Sequence, residues 1–571
     1  MKRCPECRRD YYDGTLLYCL DDGAPLLEGP ASADDPATAI LSEPGAVPTG
    51  SLPSEAPTRT LDPYSDPAGS VQIPSQASAR NTVIAVGIGA VLVATLGIGA
   101  YLYYNRGSSK QIESIAVMPF VNESGNPDVE YLSDGMTETL ISNLSQIPNL
   151  DVKARSSVFR YKGKDMGPQT IGKELNVQGV LNGRVVQRGN DVTLYIELVE
   201  PATEKVLWKT DYTRPLTDLV PMQRDIARDV SDRLRVKLSG SDAQRLARNY
   251  TENTEAYQLY LKGRYQWNKR TKESLKRAVE YFNQAIEKDP SFALAYAGLA
   301  DCYVVFSSYG VESPADAFPK ARMAAQKALE IDGTLGEAWA TLAQVKWSYD
   351  WDFMGAERDF QRAIELDPNY PTAHQWYGEF LETMGRFDES LAEMRRAQEL
   401  DPLSLIISKE LGTALLFARR YDVAIMQLKK VLEMDENFAS AHFDLGYCYL
   451  MKGMYDESIA EFQKARAITN DGSFQLSGLA SALVKVGNRQ EARKILQQLS
   501  ERKQREYVDP QFLAAIYAAL GEKENAFANL EEAYNERSDY IPILKVSPAY
   551  DDEFRSDPRF QDLLRRVGLP Q

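Results

Sequence analysis

Three cysteines crowd the first twenty residues, at the spacing of a metal site. Cys4 and Cys7 form a Cys-x-x-Cys knuckle. Two thiolates so spaced reach one tetrahedral ion from a tight turn. Cys19 follows, and Asp22 stands three residues after it, where a second knuckle would place its last cysteine. A carboxylate oxygen can ligate zinc. Cys4, Cys7, Cys19 and Asp22 would therefore close a structural Zn2+ shell of three sulfurs and one oxygen. Such a shell has no open position, so no metal catalysis follows from it. Two other readings stay open at this point. One is an empty, degenerate knuckle pair. The other is a redox Cys-x-x-Cys, although those sit in a βαβ context that this stretch lacks.

No other constellation carries chemistry. The chain has two histidines, His374 and His442, and they fall at the same place in two copies of a repeat, which makes them packing residues. Ser133-Asp134-Gly135 reads as a helix start, with Ser133 as its cap and Asp134 favourable in the first turn. Gly179, Gly183 and Gly189 read as turn or bulge positions, not as a phosphate cradle. A Gly-rich ATP loop, a His-Arg-Asp catalytic loop and an Asp-Phe-Gly motif are all missing, which excludes a kinase. A net charge of -16 and a pI near 5.0 argue against nucleic acid, because phosphate binding needs a basic stripe. Cys302 and Cys448 stand alone in helical segments and read as small buried residues. The expectation is a protein that binds and is not an enzyme.

The 571 residues are too many for one core, so several parts must position these groups. Residues 1–27 form the cysteine module, which resembles the short zinc ribbons at the N-termini of bacterial membrane proteins. Residues 28–81 hold nine prolines and one aromatic, Tyr64, and read as a disordered Pro/Ser/Ala linker. Residues 82–104 (TVIAVGIGAVLVATLGIGAYLYY) carry no charge. As a helix they would run ~34 Å, enough to cross a hydrocarbon core of about 30 Å. Arg80 and Arg106 bracket the stretch, and Tyr101, Tyr103 and Tyr104 would form an interfacial belt. Ala85 with Gly89 and Ala90 with Ala94 share faces, an arrangement that would suit a homodimer through the span. Flanking charges nearly balance. Free thiolates survive in a reducing cytosol, which places the N-terminus inside and the C-terminal domains in the periplasm or beyond.

Residues 112–240 read as an α+β domain. Glu113–Phe120 is a buried strand, and Tyr131–Ile147 an amphipathic helix. Leu150–Phe159 is a second strand, and Pro168–Leu175 a short helix. Val177–Gln187, Val192–Glu200 and Lys205–Tyr212 are strands, and a helix runs from Asp218 to Leu238. The text IAVMPFVNESGNPDVEYLSDGMTETLISNLSQIPNLDV, followed by GKELNVQGVLNGRVVQRGNDVTLYIELVEPATEKVLWKTDY, resembles the TolB amino-terminal-like domain. The resemblance implies a domain that follows a membrane helix and precedes tetratricopeptide repeats. A kinase, a winged-helix regulator or a cyclase is its frequent N-terminal neighbour. It implies no ligand.

Residues 254–537 repeat. Asp-Pro closes copies at Asp289, Asp367 and Asp401, and weaker forms stand at Asp332 and Asp435. The last three intervals are 35, 34 and 34 residues, and Ala363, Ala397, Val431 and Ala465 keep the same beat. A period of 34 indicates a solenoid of helical hairpins, and PTAHQWYGEFLETMGRFDESLAEMRRAQELDP resembles a tetratricopeptide repeat. Six to eight copies are expected, with an insertion near Ser307–Pro314 and a helical cap over 538–571. Register alone places Ala297, Asp301, Ala340 and Gln344 on the inner face. It places there also Gln375, Glu379, Lys409, Thr413, Phe443 and Tyr447. Aromatics, amides and acids there suit an extended or helical peptide. The chain as a whole reads as a single-pass membrane scaffold for proteins or peptides. One alternative is a non-kinase sensor that relays occupancy of the outer domain to the cytosol; the other is an enzyme of unknown type, for which no motif speaks.

Overall fold

The computed structural model describes residues 112–147, 149–234, 251–309 and 311–570, and three two-residue strands near the N-terminus. Those strands are β1 (Lys2–Arg3), β2 (Asp10–Tyr11) and β3 (Leu27–Glu28), with β1 in the middle of a small antiparallel sheet. Cys4, Cys7, Cys19 and Asp22, the linker after Glu28, and the apolar stretch 82–104 lie outside the described residues. Among the described residues no helix is long and apolar enough to cross a membrane.

The middle domain is a six-stranded mixed sheet with helices against it. β4 (Ser114–Val117) runs parallel to β6 (Asp151–Val152) on one side and to β7 (Gly179–Arg188) on the other. β7, β8 (Asp191–Glu200) and β9 (Lys205–Pro215) form an antiparallel meander. β5 (Val121–Asn122) continues the β4 edge along β7. The chain leaves the ladder between β4 and β5 so that Phe120 can lie over Gly183. A Cβ at Gly183 would stand 2.3 Å from the Phe120 ring, so the position accepts only glycine without rearrangement.

Helix α1 (Glu130–Ser145) buries Leu132, Met136, Leu140 and Leu144 on the sheet. α2 (Arg155–Phe159), α3 (Pro168–Glu174) and α4 (Leu219–Leu234) follow. Two expectations need correction. Leu150–Phe159 is not one strand: only Asp151–Val152 pairs, and Arg155–Phe159 is helical because its serines turn away to bond a different part of the chain. Ser133 does not cap α1. The helix already begins at Glu130, after a 3-10 turn capped by Asn126, and the buried Ser133 hydroxyl donates to the Glu130 carbonyl.

Among the described residues the repeats form eight hairpins. Their paired helices are α5 (Thr254–Trp267) and α6 (Lys272–Lys288), α7 (Ala293–Phe306) and α8 (Pro314–Ile331), and α9 (Gly336–Val345) and α10 (Phe353–Leu366). α11 (Pro371–Thr383) pairs α12 (Phe387–Leu400), and α13 (Leu405–Phe417) pairs α14 (Tyr421–Met434). α15 (Ala439–Met451) pairs α16 (Tyr455–Ile468), α17 (Ser473–Lys485) pairs α18 (Arg489–Lys503), and α19 (Pro510–Ala519) pairs α20 (Lys523–Asn535).

The markers have physical causes. Asp289, Asp367 and Asp435 each cap the end of a helix, and each carboxylate accepts the backbone N–H two residues on, which turns the chain into the next hairpin. Gly378, Gly412 and Gly446 leave room for Met394, Leu428 and Phe462 from the facing helix. The insertion in the second copy falls between α7 and α8, and α8 is the longer helix of that pair.

The solenoid closes on itself. After a π turn at Lys346–Asp350, Trp351 packs on Tyr534 of the eighth hairpin with ring centres 5.0 Å apart, and the Arg537 guanidinium lies 3.9 Å from the Trp351 ring centre. α21 (Asp552–Arg555) and α22 (Pro558–Val567) cap the eighth hairpin. Their core also takes in Phe353 and Met384 from the third and fourth hairpins. The inner face is therefore not an open groove. The middle domain covers a further edge: Asn369 Nδ2 donates to the Ser145 and Leu150 carbonyls, and Arg160 donates to those of Leu403 and Met434.

Candidate functional site

The first helix of every hairpin turns one face to a common cavity of about 1320 Å3, and α1 and the C-terminal tail complete much of its wall. Ten carboxylates and four basic side chains line it, so the field inside favours cations. Trp267, Trp347, Tyr370 and Trp376 add aromatic surface. Charge is concentrated at three places along this wall.

The first is a junction between α1 and the opening hairpins. Arg264 Nε donates to Glu138 Oε1 at 2.7 Å, Asn268 donates to Oε2 at 2.7 Å, and Arg155 Nε lies 3.0 Å from the same oxygen. Burial raises the Glu138 carboxyl, but Arg264 and Arg155 outweigh it and hold the group below its ordinary value. Asp301 closes the network, 3.3 Å from Arg264 and 2.7 Å from the Thr341 hydroxyl. Burial pushes nearby Glu337 up to about 7. Arg264 opposes this, while Asp301, Asp367 and Glu138 add to it.

The second lies on α11, α13 and α15. Lys409 Nζ is 3.0 Å from Glu410 and 3.2 Å from Asp444, and Thr413 donates to Asp444 at 2.7 Å. Glu379 accepts from Gln375 Nε2 at 2.8 Å. One turn on, Glu382 is 3% exposed. Burial raises both Glu379 and Glu382, and Glu410 adds to it for each.

The third is at the closing seam. Asp509 caps α19 by accepting from Gln511 N at 2.9 Å, and it accepts from the Ser538 hydroxyl at 2.6 Å. Burial, then Asp539, pushes it up to about 7. Asp539 accepts from Ser307 Oγ at 3.1 Å across the seam.

Gln375, Glu379, Lys409, Thr413, Phe443 and Tyr447 all lie on the cavity wall, as does Gln344. Phe443 and Tyr447 are nevertheless mostly consumed inside the protein. Phe443 packs on Phe474 with ring centres 3.9 Å apart and on Tyr447 at 5.0 Å. Ala297 and Ala340 are buried between helices, and Asp301 belongs to the Arg264 network. His374 and His442 make matching contacts. Nδ1 of each faces a glutamate, Glu393 or Glu461, and Nε2 of each faces a carbonyl, that of Pro368 or Glu436. Cys302 and Cys448 are buried free thiols.

Sequence reading missed Glu382, Asp444 and Glu138. The first two were in reach, because Glu382 is three residues beyond Glu379 and Asp444 lies between Phe443 and Tyr447. Glu138 carried no such signal, since only the docking of the middle domain brings it to Arg264. Among the described residues no three His, Cys, Asp or Glu side chains converge as metal ligands.

A family model described as HilA/YgeH-like transcriptional regulator, second domain, matches residues 110–228, and a tetratricopeptide repeat model matches 352–404 and 409–473. The chain is similar to a putative adenylate cyclase 3 of Rhizobium meliloti (strain 1021), 33% identical over 231 residues, which are 40% of this chain and 39% of that protein. It is also similar to the transcriptional regulator HilA of Salmonella typhimurium, 28% identical over 133 residues, which are 23% of this chain and 24% of the regulator. The chain thus spans well under half the length of either relative. Among solved structures, YrrB, a TPR protein with an unusual peptide-binding site, is 23% identical, with 35% of this chain and 97% of that one covered at a TM-score of 0.26. The C-terminal part of the chain is a tetratricopeptide solenoid, an architecture that serves as a scaffold for protein–protein interaction.

Proposed function

We propose that this chain is a membrane-anchored scaffold that draws a peptide segment of a partner protein into the cavity of its solenoid. The cavity carries the reading. At about 1320 Å3 it is larger than the roughly 300–1,000 Å3 of small-molecule pockets, and its wall is a continuous series of helix faces. An extended or helical segment fits such a wall better than a metabolite does.

A photo-crosslinking residue at Ile406 tests it, because Ile406 is 44% exposed and on the wall. The same residue at Met354, which is 87% exposed and does not line the cavity, is the control. Partner adducts are expected from position 406 of the full chain in its native membrane. Adducts from position 354 alone, or equally from both, defeat the reading.

Anchoring through 82–104, with the N-terminus in the cytosol, belongs to the same proposal. Reporter fusions before Met1 and after Gln571 that work on only one side of a membrane test it. Three thiolates and a carboxylate at Cys4, Cys7, Cys19 and Asp22 are a donor set that suits structural zinc. Metal analysis of the full chain, parent against Cys7→Ser, tests that part: zinc lost with Cys7 supports it, and unchanged content removes it.

A second reading, relay of occupancy toward the N-terminal side, is favoured by one observation. Glu138 of α1 pairs Arg264 at the cavity wall, so a ligand that displaces either side chain acts on both the solenoid and the middle domain. Hydrogen exchange in α1 that changes with crosslinkable partner supports relay; exchange that does not change sinks it.

A further inference from the structure

We propose that Glu379 and Glu382, with Glu410 and Asp444 behind them, form the anchor subsite for a lysine or arginine side chain of the incoming segment. This rests on the peptide reading above and names the chemistry of its ligand.

Glu379 and Glu382 are three residues apart on α11 and so share a face. The cation of this neighbourhood, Lys409, is already held by Glu410 and Asp444. Among the described residues no basic side chain lies within 4.0 Å of Glu379 or Glu382. Glu379 has a neutral partner in Gln375. Glu382 Oε2 has none, although the residue is 3% exposed and lines the cavity. A buried carboxylate oxygen without a partner is costly, and native structures rarely leave one without a use.

The surroundings suit an organic cation. Trp347 and Trp376 line the same cavity. Aromatic surface in a carboxylate-lined cavity favours ammonium and guanidinium groups over neutral ones. The carboxylates do not converge as metal ligands.

The subsite is also proton-linked. Burial and Glu410 raise Glu379 and Glu382, Asp444 adds to Glu382, and Lys409 opposes, which favours the protonated carboxyls. A bound cation favours the ionised carboxylates, so binding releases protons and tightens as pH rises.

The test uses the full chain and two fluorescein-labelled nonapeptides of Ala and Ser that carry a central lysine or a central acetyl-lysine. The lysine peptide is expected to bind about tenfold tighter, the size of one charge-assisted contact. In Glu382→Gln, and separately in Glu379→Gln, the preference should fall to about threefold or less, with a thermal midpoint no lower than the parent's. Proton release on lysine-peptide binding, read by calorimetry in buffers of different ionisation enthalpy, should shrink with it. Both variants keeping the tenfold preference overturns the subsite. Equal binding of the two peptides by the parent also overturns it, while leaving the peptide scaffold intact. Binding of neither peptide defeats both.

Discussion

Ser157 and Asp401 meet across the seam between the middle domain and the solenoid. Ser157 Oγ donates to Asp401 Oδ1 at 2.5 Å and accepts from Leu403 N at 2.8 Å. Asp401 is also the residue that ends α12. A repeat marker, present for local reasons, thus doubles as the docking point of another domain, and Asn369 does the same one hairpin earlier.

Ser157→Ala leaves buried partners unsatisfied, which costs about 1–3 kcal/mol. Urea unfolding of the full chain should show a lower midpoint and two separated transitions. Ser291→Ala, at the exposed end of the equivalent Asp289 turn, should change stability by about 0.5 kcal/mol or less. Equal effects from the two would mean that the seam contributes nothing.

Gly298 and Gly378 differ in what blocks a methyl group. A Cβ at Gly298 would stand 2.6 Å from the Phe282 ring, which is fully buried and also packed on Tyr260. At Gly378 the nearest atoms, 3.0 Å away, belong to Met394. Methionine adjusts where a pinned ring cannot. Gly298→Ala should cost about 1–3 kcal/mol and Gly378→Ala about 1 kcal/mol or less. Thermal melts decide the order.

Glu337 has a folded pKa of about 7 against an ordinary 4.5. Between those values the folded state holds more protons than the unfolded one, so this group lowers stability as pH rises from about 4.5 to 7. Glu337→Gln removes the penalty. Its stability relative to the parent should improve from pH 5 to pH 7 and level off by pH 8, and a flat difference would refute the burial account.

His442 has the same pH sign from a stabilising cause, an ion pair rather than a burial penalty. Burial lowers its pKa, but Glu461 and the Glu436 carbonyl more than restore it, so it sits above 6.5. Its contribution is complete below about pH 6.5 and fades as pH rises through the folded value. Burial likewise raises Glu461, yet His442 and Lys464 hold it below 4.5, so its share is lost in acid. His442→Gln should therefore cost most between about pH 4.5 and 6.5 and less at pH 8.5, as measured by urea midpoints.

Hairpin positions, the cap and the wall residues from Gln375 to Tyr447 could be read from the chain because they rest on interactions within about 34 residues, where period and register are informative. The same holds for β7, β8 and β9, joined by short turns. Leu150–Phe159 could not be read, because its serines answer to Asp401, 244 residues away. Nor could the closure of Trp351 on Tyr534, or the meeting of Glu138 with Arg264. Small rotations between hairpins add up over the whole array, and no single copy records their sum. Period and local patterning were enough to read a helical array preceded by a layered domain. That the inner face becomes an acidic cavity walled on most sides follows from the closure of the array, which withdraws its carboxylates from water and leaves Glu382 Oε2 without a partner.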